Sequence, residues 1–224
     1  MSRKSLTVFF SFVVLLCARP ALAQIASGSS SMSSTHAPRL FVDGIGGVTF
    51  SHEPGGLWGA GVSIRASRHV QVLGEAGRLT NVLPKSMSDD LNSAAETLVA
   101  NGGSPFIFTA TMPATYGLGT VRITSTPTHS GLAPFVEGGA GFAHVTPNVS
   151  AQSAGLDATD TLLSSVTTPI IATQTKPMFT VGGGLSIQAG KRSAVDLGYR
   201  YGRILTDDVA VPTNRIYAGV RVGL

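Results

Sequence analysis

The sequence predicts an all-β fold, an eight-stranded antiparallel up-and-down barrel that crosses a membrane with its strands. Three observations predict it. Hydrophobic residues make up 43% of the 224-residue chain but charged residues only 12%, about half the charged share of an ordinary soluble domain. Beyond Pro38 no apolar run approaches the roughly 20 residues that carry a helix across a bilayer. Instead, stretches of about ten residues alternate apolar or glycine with polar or glycine, as a strand does with one face in lipid and one in a lumen.

Eight stretches carry this pattern. The first, Leu40 to Phe50, sets Leu40, Val42, Val48 and Phe50 against Asp43 and Thr49. The second, Leu57 to Ala66, sets Trp58, Ala60, Val62 and Ile64 against Gly59, Gly61, Ser63 and Arg65. In the third, Val70 to Leu79, the outward Val70, Val72, Gly74 and Ala76 oppose Gln71, Glu75 and Gly77, with Leu73 an apolar exception on the inward side. The fourth, Ala114 to Thr124, places Val121 and Ile123 opposite Thr120 and Arg122, which puts the apolar Tyr116 and Leu118 on the Arg122 side. The fifth, Phe135 to Val145, opposes Val136, Ala140 and Phe142 to Glu137, Gly139 and Gly141. The sixth, Phe179 to Ala189, alternates Phe179, Val181, Leu185 and Ile187 with Thr180, Gly182, Gly184, Ser186 and Gln188. The seventh, Val195 to Leu205, offers Val195, Leu197, Tyr199 and Tyr201 to one side and Asp196, Gly198, Arg200 and Gly202 to the other. The eighth, Arg215 to Leu224, turns Ile216, Ala218, Val220, Val222 and Leu224 outward and Arg215, Tyr217, Gly219 and Arg221 inward.

The connections fall into two classes. Residues 67–69, 125–134 and 190–194 are short links at one end, whereas 51–56, 80–113, 146–178 and 206–214 join strands at the other, two of them long. An even strand count with turns at one rim and loops at the other is the pattern of an outer-membrane barrel. Hydrocarbon offers no water to satisfy backbone N–H and C=O groups, so a spanning sheet must close and leave no edge. A soluble lipocalin-like barrel is the rival fold. It would bury the Trp58, Val62, Ile64 and Val220, Val222, Leu224 faces and expose the charged ones.

The N-terminus reads as an export signal. Arg3 and Lys4 precede the apolar or small-residue run Leu6 to Cys17, and Ala21-Leu22-Ala23 forms a small-x-small cleavage site, so residues 1–23 are expected to be removed. Cleavage takes three of the 16 basic residues and none of the 12 acidic ones, lowering the net charge from +4 to +1. Nucleic acid is therefore not an expected partner. The single cysteine, Cys17, lies in the removed segment, which excludes disulfide, thiol and redox chemistry from the mature chain. Leu16 before it and Arg19 after it do not suit lipid attachment. Residues 24–38 are Ser-rich, with too few large apolar side chains for a core, and read as a flexible periplasmic leader. The barrel domain is expected over 39–224.

With signal peptide, eight strands, the phrase APFVEGGAGFAHV at Ala133 to Val145, the phrase VDLGYRYGRI at Val195 to Ile204 and an alternating last strand in view, the chain resembles the small outer-membrane barrels of the OmpA-like and Opa-like class. The resemblance spans roughly Leu40 to Leu224. It implies a localisation in the outer membrane after export through the periplasm, contact with membrane lipid and lipopolysaccharide, and insertion by the barrel assembly machinery through the C-terminal strand. The class usually ends in an aromatic residue, and Leu224 stands there instead, which bears on assembly efficiency rather than fold. A wall-anchoring domain of the kind some relatives carry is not expected.

The inward charges are Asp43, Arg65, Glu75, Arg122, Glu137, Asp196, Arg200, Arg215 and Arg221. A barrel of eight strands is about filled by its own side chains, and unpaired charge in it is costly. A salt-bridge network that plugs the lumen is expected, with a partner-switching gate for a small conductance as the alternative. Some barrels of this class are lipid A-modifying enzymes that use His with Ser and an acid near the outer leaflet. Here His36 lies in the leader, His69 and His129 in turns, and only His52 and His144 at a suitable height, without a serine at convincing spacing. No catalytic residue, cofactor or metal site is expected: Asp89-Asp90 and Asp207-Asp208 lack companion ligands, and the GIGG and GGG groups lack nucleotide-loop spacing. In the 80–113 loop, Leu91, Ala94, Ala95, Leu98 and Val99 recur at helical spacing after Ser88-Asp89-Asp90, a candidate cap and acidic first turn. That helix is expected to pack on Leu162, Leu163, Val166, Ile170 and Ile171 of the other long loop. The expected function is non-enzymatic, a structural or surface-interaction (adhesin-like) role carried by the outer loops, with a surface ligand unknown.

Overall fold

The computed structural model describes residues 39–50, 53–101, 104–128, 131–166, 173–206 and 210–224. The expected signal peptide and leader, Cys17, His36, His52, His129, Ile170, Ile171, Asp207 and Asp208 lie outside them. The strands are β1 (Leu40–Phe50), β2 (Pro54–Arg65), β3 (Val70–Leu79), β4 (Phe106–Thr111), β5 (Ala114–Thr124), β6 (Leu132–Val145), β7 (Asn148–Ser153), β8 (Leu156–Asp157), β9 (Gln174–Gln188), β10 (Ser193–Ile204) and β11 (Val211–Gly223). Helix α1 (Lys85–Ala100) follows β3, and α2 (Thr159–Ser164) follows β8.

Eight strands close a barrel in the order β1-β11-β10-β9-β6-β5-β3-β2, each pair antiparallel. Closure is made where β1 pairs with β11, from Phe41 opposite Gly223 to Phe50 opposite Asn214. Every strand alternates as its side-chain period dictates. Trp58, Val62, Val72, Val121, Val136, Phe142, Phe179, Val181, Leu197 and Ile216 are exposed on the outside, while Ser63, Glu75, Thr120, Glu137, Asp196, Arg200 and Arg221 are buried within. An apolar surface around a polar, filled interior is the arrangement a bilayer stabilises and water does not. The lipocalin-like alternative requires the reverse. Strand β5 keeps one register throughout, so Tyr116 and Leu118 do lie inside, at 2% and 4% exposure, above Arg122.

Several boundaries differ from the sequence expectation. β2 starts at Pro54 rather than Leu57, β6 at Leu132 rather than Phe135, β9 at Gln174 rather than Phe179 and β11 at Val211 rather than Arg215. The hydrogen-bond ladder outruns the apolar alternation there, because segments such as QTKP and VPTN carry polar residues and prolines where the strands leave the apolar belt. The helix is also longer. α1 begins after Pro84, which supplies no side-chain cap, and its first turn holds no acidic residue, so Ser88-Asp89-Asp90 falls inside the helix rather than at its start. Pro84 is the N-cap residue in an extended conformation, φ −68° and ψ 148°, and Lys85 opens the helix ahead of Ser-Asp-Asp.

Strands β4, β7 and β8 form a separate three-stranded sheet at the loop end of the barrel. With α1 and α2 they make a cap. Leu91, Ala94 and Ala95 of α1 share one buried cluster with Leu162 of α2, Ala151 of β7 and the barrel residues Leu57, Leu79, Met178, Ile204 and Val211. Leu163 and Val166 pack against the same cluster. Asn81 ties the cap to the rim: its Oδ1 accepts the N–H groups of Leu83 at 3.1 Å and Met112 at 3.0 Å. The Thr49 hydroxyl donates to its carbonyl at 3.2 Å.

Candidate functional site

Inward positions follow from strand period alone, and barrel closure brings charges distant in sequence into one cluster. Arg122 donates from Nε and Nη2 to Glu137 Oε2 at 3.0 and 2.8 Å, and from Nη1 to Asp196. Arg200 donates from Nη1 to both oxygens of Glu75 at 2.9 Å and from Nε to Glu137 Oε1 at 2.9 Å. Arg221 donates to Asp43 at 3.1 Å, to Gln71 at 2.9 Å and to Asp196. Hydroxyls complete the acceptors: Tyr116 donates to Glu75 at 2.8 Å, Tyr217 to Glu137 at 2.6 Å and Ser63 to Asp43 at 2.7 Å. Bidentate guanidinium–carboxylate pairing is the geometry in which buried charge is best tolerated.

Seven of the nine expected lumen charges thus join one network. The other two stand apart. Arg65 is half-buried near the turn-end mouth, its guanidinium 5.0 Å from the centre of the Phe41 ring. Arg215 is 1% exposed, and among the described residues none of its three guanidinium nitrogens has a hydrogen-bond partner; it lies 5.2 Å from the Tyr116 ring. Tyr116, Tyr217, Gln71 and Ser63 were not expected as partners. Their lumen-side positions were the only available signal, since which strands face each other across the barrel depends on its shear.

The glycines make room for this packing. A Cβ on Gly77 would meet the Tyr116 hydroxyl at 2.7 Å, and one on Gly198 would meet the Tyr217 ring at 2.7 Å. The two tyrosines that serve the carboxylates therefore lie flat over bare backbone. A cavity of about 20 Å³, lined by Asp43, Glu75, Arg122, Asp196 and Arg200 among others, interrupts the cluster, enough for about one water molecule. Toward the loop end, Leu57, Leu79, Met178, Ile204 and Val211 are almost fully buried, so an apolar layer lies between the network and the cap.

Outside the barrel, a row of polar residues interrupts the apolar surface near the loop end. Arg78, Thr115, His144 and Thr175 are successive cross-strand partners on β3, β5, β6 and β9, all exposed. His144 Nδ1 and the Thr175 hydroxyl are 2.9 Å apart. His69, at the opposite end, has Nδ1 3.1 Å from the Thr124 carbonyl. Among the described residues no three His, Cys, Asp or Glu side chains group as metal ligands.

This fold and filled lumen define the class of small eight-stranded outer-membrane barrels. Among solved structures, the chain is similar to Neisserial surface protein A, at 15% identity and a TM-score of 0.52, over 84% of this chain and 98% of that one. The N-terminal β-barrel domain of Pseudomonas aeruginosa OprF aligns at 14% identity and a TM-score of 0.46, over 84% and 98%. The attachment invasion locus protein Ail of Yersinia pestis aligns at 12% identity and 0.42, over 82% and 96%. No family model matches the sequence. No curated protein matches it either. The likeness is one of fold, and the OmpA-like resemblance holds at that level.

Proposed function

We propose that this protein is a non-enzymatic barrel of the outer membrane that holds a folded cap at the cell surface for interaction with other molecules. The observation that carries the reading is the cap itself. Its sheet, two helices and shared core with the barrel rim present a fixed surface, on which Ile107 and Leu156 are 78% and 72% exposed. Large apolar side chains held in water on a rigid frame are what contact surfaces use. The polar row at Arg78, Thr115, His144 and Thr175 suits the headgroup region of the outer leaflet, where lipopolysaccharide is the proposed lipid contact, and the alternating β11 is the proposed signal for the assembly machinery.

The test is a binding screen of cells that display the protein against immobilised polysaccharides and proteins. Retention should fall when 84–109 is replaced by a short Gly-Ser turn in a barrel that still folds. Equal retention by both would remove the reading. Lipid A mass spectra with and without the protein should be identical; altered acylation would replace this reading with an enzymatic one.

A gated small conductance is the second reading, and Arg215 favours it. This buried guanidinium, without a hydrogen-bond partner among the described residues, is a spare cation beside Tyr116, whose hydroxyl already holds Glu75. Transfer of Glu75 from Arg200 to Arg215 would loosen the plug. Single-channel recordings decide: steady closure in both the wild type and Glu75→Gln removes the gate.

A further inference from the structure

Outside the lumen, cations such as Arg68 and Arg203 lie at both ends of the barrel, whereas the side-chain carboxylates lie at one. At the turn end the described charged side chains are all cations: Arg39, Arg65, Arg68, Lys191 and Arg192. The described side-chain carboxylates outside the lumen, Glu53, Asp89, Asp90, Glu96, Asp157 and Asp160, are all at the loop end. The turn end also holds a cavity of about 250 Å³, whose lining includes Arg65, Arg68, Lys191 and Arg192 and no carboxylate. Phe41 and Arg221 line it too, and Arg221 is already committed to Asp43, Gln71 and Asp196. The Phe41 ring has Arg65 at 5.0 Å and Arg221 at 5.9 Å, and Arg221 joins the inner end of the vestibule to the network. The result is a vestibule lined by four cations and, among the described residues, by no acidic side chain.

We infer that this vestibule is a binding site for a phosphate group. A cleft of one sign with low-dielectric walls concentrates counter-ions. Three of its four cations are arginines, whose planar fork matches phosphate oxygens two at a time. A phosphate places one or two charges and two or three free acceptor oxygens on one small group, as a diester headgroup or as free phosphate, a better match for clustered arginines than a single carboxylate. The source is either a soluble phosphate of the periplasm or the headgroup of an inner-leaflet phospholipid. Neither requires the outer cap, so this site is independent of the proposed surface role.

The full mature chain, folded in a glucoside detergent without phosphate, would be titrated calorimetrically with inorganic phosphate and pyrophosphate at low salt. Stability would be compared in phosphatidylcholine bilayers with and without phosphatidylglycerol. The variant is Arg68→Gln with Arg192→Gln, both on exposed turns, and the control is Arg78→Gln with Arg203→Gln at the other end. Binding in detergent that weakens with salt and falls roughly ten-fold in the turn-end variant alone supports the site and a soluble source. No heat in detergent, but stabilisation by phosphatidylglycerol that the turn-end variant alone loses, supports the site with a headgroup source. Absence of both effects, or effects equal in the two variants, overturns it. Unboiled gel mobility verifies that both variants are folded.

Discussion

At the scale of single residues, the lumen has one indispensable acceptor and one surplus donor. Glu137 takes hydrogen bonds from Arg122, Arg200 and Tyr217, so its carboxylate neutralises two guanidinium groups at once. Breaking a buried pair from one side leaves uncompensated charge, and Glu137→Gln should cost about 3 kcal/mol or more. The single tryptophan, Trp58, is 54% exposed on the lipid face, and the urea midpoint of its fluorescence would report the loss. Arg215 predicts the opposite sign. Unsatisfied buried donors each cost roughly 1–3 kcal/mol, so Arg215→Met should leave the midpoint unchanged or raise it. The gain is limited because three arginines hold four carboxylates in the network, and the charge of Arg215 offsets the difference at longer range. A clear fall in midpoint would mean that this offset outweighs the missing hydrogen bonds.

Among elements, barrel and cap differ in how far the sequence revealed them. A strand with one face in lipid writes its period directly into the residues, as in Ile216, Ala218, Val220, Val222 against Arg215, Tyr217, Arg221, so all eight barrel strands were legible. The inward charges were legible for the same reason, but their partners were not, because Arg200 meets Glu75 across the lumen at a separation of 125 residues. The cap strands were missed. FIFTAT of β4 and NVSAQS of β7 are six residues each, and their pairing, Phe108 opposite Ala151, arises only once the barrel has brought the two loops together. Leu91 is the keystone here, fully buried between helix and rim. Leu91→Ala should cost the cap about 2–5 kcal/mol, opening it to limited proteolysis while the barrel keeps its unboiled mobility; if the barrel unfolds with it, cap and barrel are one cooperative unit. A smaller signal belongs to α2. Asp157 Oδ1 accepts the Thr159 N–H at 3.0 Å, and this backbone bond, with the Thr159 hydroxyl, holds the Asp157 carboxyl below its usual value. Its support is full above the ordinary carboxylate range and lost as pH falls through the lower folded value. Amide exchange at Thr159 should therefore gain on its neighbours only in acid.

For the molecule as a whole, the sign of a substitution's effect should depend on its solvent, and the bilayer supplies two. Leu197 is 48% exposed at the middle of β10, between Leu185 and Ala218, and its neighbours Asp196 and Gly198 face the lumen. In a water-soluble barrel an exposed Leu197→Arg would be close to neutral. In a bilayer the same change puts a guanidinium into hydrocarbon, at about 2–4 kcal/mol near the midplane and little at the interfaces. The depth series Leu197→Arg, Tyr201→Arg and Arg203→Leu along one outward face tests this in a single strand. The cost should be largest at Leu197 and smaller at Tyr201, and removing Arg203 should give no gain, because a cation at that height reaches the headgroups. Folding into liposomes with urea titration gives each value. A flat profile would contradict the membrane placement of the barrel, and a maximum at Tyr201 would shift the apolar belt toward the cap without changing the fold.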